Sequence, residues 1–186
     1  PAAVIGQVAH DGRLVVYDSV ISDGMGALRF IRERLKPLLA NKFPGRQTLV
    51  IIDPAAFQRA QTDERTVADI YKTEGFMVKP ARTNSIVARL AAVEKFMTRV
   101  VDGKYGIVID TVTATSLVQA LAGKYRYKIN TKGARDEKPE KSHPWSDVAD
   151  AFQYMCLHAD GGETFGAVAS STQRRNVVKV SSHGWT

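Results

Sequence analysis

Gln47-Thr-Leu-Val-Ile-Ile-Asp53-Pro54 is a short apolar run, rich in β-branched residues, that ends abruptly on an acid. It reads as a buried strand closed by Pro54. An acid at the carboxyl end of such a strand lies where open α/β sheets place their chemistry. Working outward, strands and helices alternate. Upstream, residues 2–9 and 13–20 are strand-like and joined by His10-Asp11-Gly12, a hairpin turn. Between them and the quoted run, Leu28, Ile31, Leu35, Leu38 and Leu39 mark a helical face that Pro37 is expected to kink or end.

Downstream, a polar loop (54–63) leads to a helix over 65–74 that stops at Gly75, then to a short strand over 76–79 closed by Pro80. Ile86, Leu90, Val93 and Met97 predict an amphipathic helix over 85–101, followed by a strand over 105–109 and a helix over 113–121. The alternation predicts a three-layer α/β domain in which helices flank a mixed central sheet. The chain has no internal repeat and no Walker-type phosphate loop, so it is not expected to hydrolyse ATP by itself.

A second stretch, residues 142–156, reads as a helix opening at a turn. Pro144 suits its first position, Ser142 or His143 can cap it, and Val148, Phe152 and Met155 form a core-facing stripe. Asp147 and Asp150, three apart, share a neighbouring face near the helix start. Such acids also complement a helix dipole on a solvated surface. Together with Asp53, however, they make a sparse carboxylate set of the kind that holds Mg²⁺ or Mn²⁺ through a few oxygens and leaves room for water and phosphate.

The 186 residues suit one sizeable domain, with an apolar content of 44% and a net charge of +7. The sequence pI is about 9.6, which favours an anionic partner such as nucleic acid. No apolar run approaches the ~18 residues needed to span a bilayer, so no membrane partner is expected. Cys156 is the only cysteine, which excludes an internal disulfide, and with four scattered histidines no zinc spacing arises.

From 123 to 141 the texture changes. Lys124-Tyr-Arg-Tyr-Lys-Ile129 alternates basic and aromatic residues like a ribbon with one charged face, and Lys132, Arg135, Lys138 and Lys141 continue the charge. Alone this is a solvated hairpin. Leading into the acidic helix, it sets cations where they can hold a phosphate backbone, with Lys124, Arg126, Lys128, Lys132, Lys141 and His143 as DNA-binding candidates. The segment 161–186, rich in Gly, Ser and Thr with Arg174, Arg175 and Lys179, is expected to be a flexible basic tail distinct from a domain spanning 1–160. Residues 176–180 could pair as an edge strand.

These stretches resemble the nuclease domain of phage terminase large subunits, the DNA-packaging motors of tailed phages. Ala2-Ala-Val-Ile-Gly-Gln7 is similar to the family's second strand and Val50-Ile-Ile-Asp53 to its strand-end acid. Residues 120–128 are similar to its basic hairpin and residues 140–154 to its closing helix. The resemblance implies an RNase H-like fold and a two-metal endonuclease using Mg²⁺ or Mn²⁺, cutting concatemeric double-stranded DNA in the host cytoplasm. Asp53 is similar to the family's second acid and Asp150, in Asp-Ala-x-x-Tyr, to its third. Asp147 stands where relatives carry His or Asp. Implied partners are double-stranded DNA, an N-terminal ATPase domain of the same full-length chain, the portal and the small terminase subunit. The family's first acid lies on a strand ahead of the segment resembling Pro1-Ala-Ala-Val, so that acid and the central strand are expected to be missing from this sequence. Weak metal binding and poor cleavage would follow. The alternatives are an RNase H-like Holliday-junction resolvase and a non-catalytic DNA-binding or docking module.

Overall fold

A computed structural model describes residues 1–58, 65–129, 133–161 and 177–183. The chain opens with strands β1 (Ala2–Val8) and β2 (Leu14–Ile21), paired antiparallel through the expected turn. Gly12 takes φ +83° there, a conformation that a side chain disfavours. A helix follows in pieces: α1 (Ala27–Phe30), a π-turn over Ile31–Leu35, and α2 (Lys36–Lys42). Pro37 does not end it. The widened turn just ahead places the proline at the start of a new α-helical segment, where its missing N–H removes no bond. Leu28, expected on the inner face, is 42% exposed, whereas Phe30, Ile31 and Leu35 are fully buried.

Strand β3 (Gln47–Ile52) ends at Asp53, which caps a short 3-10 turn over Pro54–Phe57. Helix α3 (Val67–Thr73) starts at a capping box between Thr66 and Asp69, and Gly75 follows its end at φ +88°. Strand β4 (Met77–Pro80) lies at the sheet edge, where a proline is tolerated. Helix α4 (Ile86–Thr98), capped by Ser85, buries Arg89, Ala92 and Phe96. Its inner face is thus rotated from the expected stripe, and Met97 is 43% exposed. Strands β5 (Val100–Val101) and β6 (Lys104–Tyr105) form a small hairpin, and Gly106 separates it from β7 (Ile107–Ile109). A Cβ at Gly106 would meet the Arg99 carbonyl at 2.8 Å, so the position requires glycine, and the strand expected over 105–109 is split there. Helix α5 (Thr115–Gln119) runs through a second π-turn and stops at Gly123, φ +132°. The basic ribbon forms as expected from β8 (Tyr127–Ile129) and β9 (Arg135–Pro139), antiparallel with an irregular register.

Helix α6 (Trp145–Asp160) departs from its sequence reading in two ways. Pro144 is its N-cap, and no side chain caps it. Every residue from Ser146 to His158 is buried, so the acids near its start do not sit on a solvated face. The helix packs against β1, β2, β3, α4 and α5 and against β10 (Val177–His183).

The main sheet has the order β4-β3-β10-β1-β2-β7. Strand β10 pairs antiparallel with β1 and parallel with β3. Residues 176–180 were expected at an edge, but Val177–His183 lie inside the sheet, between β1 and β3. Arg174 and Arg175, in the rest of the expected tail, lie outside the described residues. The buried strands divide their side chains between two cores, as period-2 alternation requires. Ala2, Val4, Leu14, Val16, Leu49 and Ile51 pack under α4, α5 and α6. Ala3, Ile5, Val50 and Ile52 pack under α1, α2 and α3. Three layers result, as the alternation of elements implied.

Candidate metal and nucleic-acid site

Asp53 leaves the sheet at the carboxyl end of β3, and the turn after it fixes its carboxylate. Oδ1 accepts from the Ala55 N–H at 2.8 Å, and Oδ2 accepts from the Tyr154 hydroxyl at 2.8 Å. The same hydroxyl lies 2.6 Å from Asn84 Oδ1. One hydroxyl proton serves either oxygen, and the charged carboxylate is the stronger acceptor. Burial holds the Tyr154 phenol well above the usual tyrosine range. The Arg89 charge opposes that shift, while the Asp53 hydrogen bond and the Asp53 and Asp150 charges add to it.

Tyr154 stands one helical turn beyond Asp150, on the same side of α6. Asp150 is 6% exposed, and its Oδ1 accepts from Arg89 Nη1 at 2.9 Å. The Arg89 guanidinium also lies 4.8 Å from the centre of the Tyr154 ring. Asp53, Tyr154, Arg89 and Asp150 are therefore joined in one polar network between β3, α4 and α6. Neither Tyr154 nor Arg89 was singled out from the sequence for such a role. Tyr154 had a signal, its place four residues after Asp150. The signal for Arg89 was the Arg89, Ala92, Phe96 spacing, which competes with the apolar stripe for the inner face of α4.

Asp147 is drawn elsewhere. Its Oδ1 meets His143 Nδ1 at 2.7 Å, and its Oδ2 lies 3.7 Å from the Pro1 nitrogen. Although three residues apart on α6, the two carboxylates take different partners, His143 for Asp147 and Arg89 for Asp150. Among the described residues, no three His, Cys, Asp or Glu side chains stand together as a set able to hold a metal ion.

A cavity of about 460 Å³ opens beside Asp150, lined also by Asn84, Arg89, Tyr125, Lys138 and Lys141. The basic ribbon docks beside it through Lys124, whose ammonium sits 3.9 Å from the centre of the Trp145 ring and donates to Gln119 Oε1 at 3.0 Å. Lys128 pairs with Glu140 at 3.1 Å. Lys124, Arg126, Lys128, Lys141 and His143 are all exposed. Lys132 lies outside the described residues.

No protein-family model matches the chain, and no curated protein matches it in sequence. Among solved structures it is similar to the nuclease domain of g2p, the large terminase of bacteriophage SPP1, whose crystal structure holds bound Mn. The two align with a TM-score of 0.53 over 82% of this chain and 75% of that one, at 16% sequence identity. The chain therefore has the RNase H-like fold of a terminase nuclease domain, the fold that its own strands and closing helix resemble.

Proposed function

We propose that the chain is a nuclease domain of a terminase large subunit, hydrolysing double-stranded DNA with divalent metal ions. The observation that carries this reading is the linkage of the strand-end acid Asp53, through Tyr154 and Arg89, to the buried Asp150, beside a cavity walled by Lys138 and Lys141. The shared fold supports it. The available donors, Asp53 and Asp150 with Asn84 Oδ1 beside them, are all oxygens, which suits Mg²⁺ or Mn²⁺ and not a soft metal. Asp53 and Asp150 would hold the ion, with Asp147 as a further ligand if it turns from His143. When bound, such an ion lowers the pKa of a coordinated water and offsets charge on the leaving oxygen.

The chain's own residues do the rest. Arg89 balances the buried charge of Asp150, which would otherwise be costly. The Tyr154 hydroxyl and the Ala55 N–H orient Asp53. The ribbon cations and Lys141 would hold the phosphate backbone of a double-stranded DNA substrate, and the ATPase domain, the portal and the small subunit are the partners this reading entails. The setting would be the cytoplasm of the host.

The test is nicking of supercoiled plasmid with Mg²⁺ and with Mn²⁺. Asp53→Asn and Asp150→Asn should each reduce metal-dependent nicking by at least about a hundredfold, the scale of losing a group that acts directly in the reaction. Undiminished nicking by both variants would remove the assignment. A binding module without catalysis is the second reading, favoured by the diversion of Asp147 to His143 and the lack of a three-ligand set among the described residues. Tight duplex binding with no nicking under either metal would establish that reading instead.

A further inference from the structure

Arg89 and Ser146 each bury a polar atom that has no hydrogen-bond partner among the described residues. Arg89 Nε and Ser146 Oγ are both shut off from solvent, in residues 6% and 3% exposed. Buried donors are nearly always satisfied, so two unsatisfied ones, both in residues that line a single cavity, point to a group that is to be received there. The cavity's other features select its charge. Two helices begin at its wall, α4 through Ser85 and Ile86 and α6 through Ser146, and helix N-termini favour anions. Its two carboxylates already face cations, Asp150 with Arg89 and Glu140 with Lys128. Lys138 and Lys141 add positive charge to the wall.

We propose that this cavity is a phosphate-binding site, in which Arg89 Nε–H and Ser146 O–H donate to phosphate oxygens and Lys141 adds charge. A phosphate group presents several acceptor oxygens in different directions, which matches donors arriving from two helices. The guanidinium can keep Nη1 on Asp150 while Nε–H serves the ligand, because its donors form a fixed fork. Resting on the nuclease reading, the site would seat a backbone phosphodiester near the cut. Free phosphate offers the same chemistry.

The experiment follows the Arg89 Nε–H signal by NMR in the ¹⁵N-labelled full chain, assigned by its absence in Arg89→Lys. Inorganic phosphate is titrated in one arm and a short DNA duplex, without metal, in the other. Ser146→Ala removes no hydrogen bond within the described residues and Lys141→Gln alters an exposed side chain, so both should keep the melting temperature. Ser146→Ala should weaken phosphate or duplex binding about tenfold, the scale of one hydrogen bond to a charged group. A response to duplex alone assigns the site to the nucleic-acid backbone, and a response to inorganic phosphate alone assigns it to free phosphate. A signal unmoved in both arms, or wild-type binding by both variants, overturns the proposal. Nicking by Asp53→Asn is scored separately. Its loss without any phosphate response removes the cavity assignment and leaves the nuclease reading, whereas a phosphate response with undiminished nicking does the reverse.

Discussion

Tyr154 sits between the two acids, and its phenol is buried enough to stay protonated throughout the neutral range. Donation to Asp53 is therefore constant there, and its task is to orient the carboxylate. Tyr154→Phe keeps the ring under Arg89 and removes only the donor. It should weaken divalent-ion binding about ten- to a hundredfold, the usual cost of losing a group that orients a ligand. Titration calorimetry with Mn²⁺ reads this directly. The same residue gives a pH expectation. A phenol held above its ordinary value in the folded chain contributes stability that is present below about pH 10 and is lost as pH rises beyond it, because the unfolded chain then releases the proton more readily. The buried Cys156 thiol, also pushed up by burial, acts in the same direction. Stability measured in denaturant should fall at alkaline pH, less steeply in Tyr154→Phe than in the parent chain.

At the scale of elements, two contacts tie separate pieces together. Glu74, at the end of α3, accepts from Arg32 in the π-turn between α1 and α2 at 2.8 Å and from Lys36 in α2 at 2.6 Å. Those hydrogen bonds hold its carboxyl at about 2, below the ordinary 4.5. A depressed folded value means that the contribution is present above pH ~4.5 and is lost as pH falls toward 2. Glu74→Gln should flatten that part of the acid-unfolding curve, measured by circular dichroism. The second contact is the docking of the basic ribbon on the start of α6. Replacing Lys124, Arg126 and Lys128 by Ala removes exposed charges and the stacking of Lys124 on Trp145, while leaving both cores untouched. Duplex affinity should drop and its salt dependence should become shallower, by a slope of roughly 0.9 for each phosphate that is no longer neutralised. Unchanged affinity and slope would make the ribbon a solvated hairpin only.

At the scale of the whole molecule, β10 matters most. It is hydrogen-bonded on both sides, Val180 standing opposite Ile5 of β1 and Val50 of β3. Its carboxyl end lies beside that of β3, Ser182 pairing with Ile52, next to Asp53. A proline in a central strand removes a ladder donor, so Val180→Pro should destabilise the domain by about 3 kcal/mol or more and disturb the site end of the sheet. Chemical denaturation measures the first effect and Mn²⁺ binding the second. A stability within about 0.5 kcal/mol of the parent, the range of an ordinary surface change, would show that β10 is not needed to close the sheet.

Local chemistry made much of this chain legible from its residues alone. The alternation of apolar runs, the hairpin turn at Gly12, the stop at Gly75 and the strand ending on Asp53 each depend on neighbours a few positions away, and sequence displays those directly. So does the alternating basic ribbon. What depended on distant partners was not legible. Burial on all sides of α6 follows from α4, α5 and the sheet enclosing it, so Asp147 and Asp150, which suit a solvated helix start, are inside. The inner face of α4 carries Ala92, Phe96 and Arg89, and Arg89 meets Asp150 across 61 residues of chain. The place of residues 177–183 is set by long-range pairing with β1 and β3, whose backbone groups need a strand between them. A strand's position in a sheet is a property of what lies beside it, and only the tertiary structure brings those neighbours together.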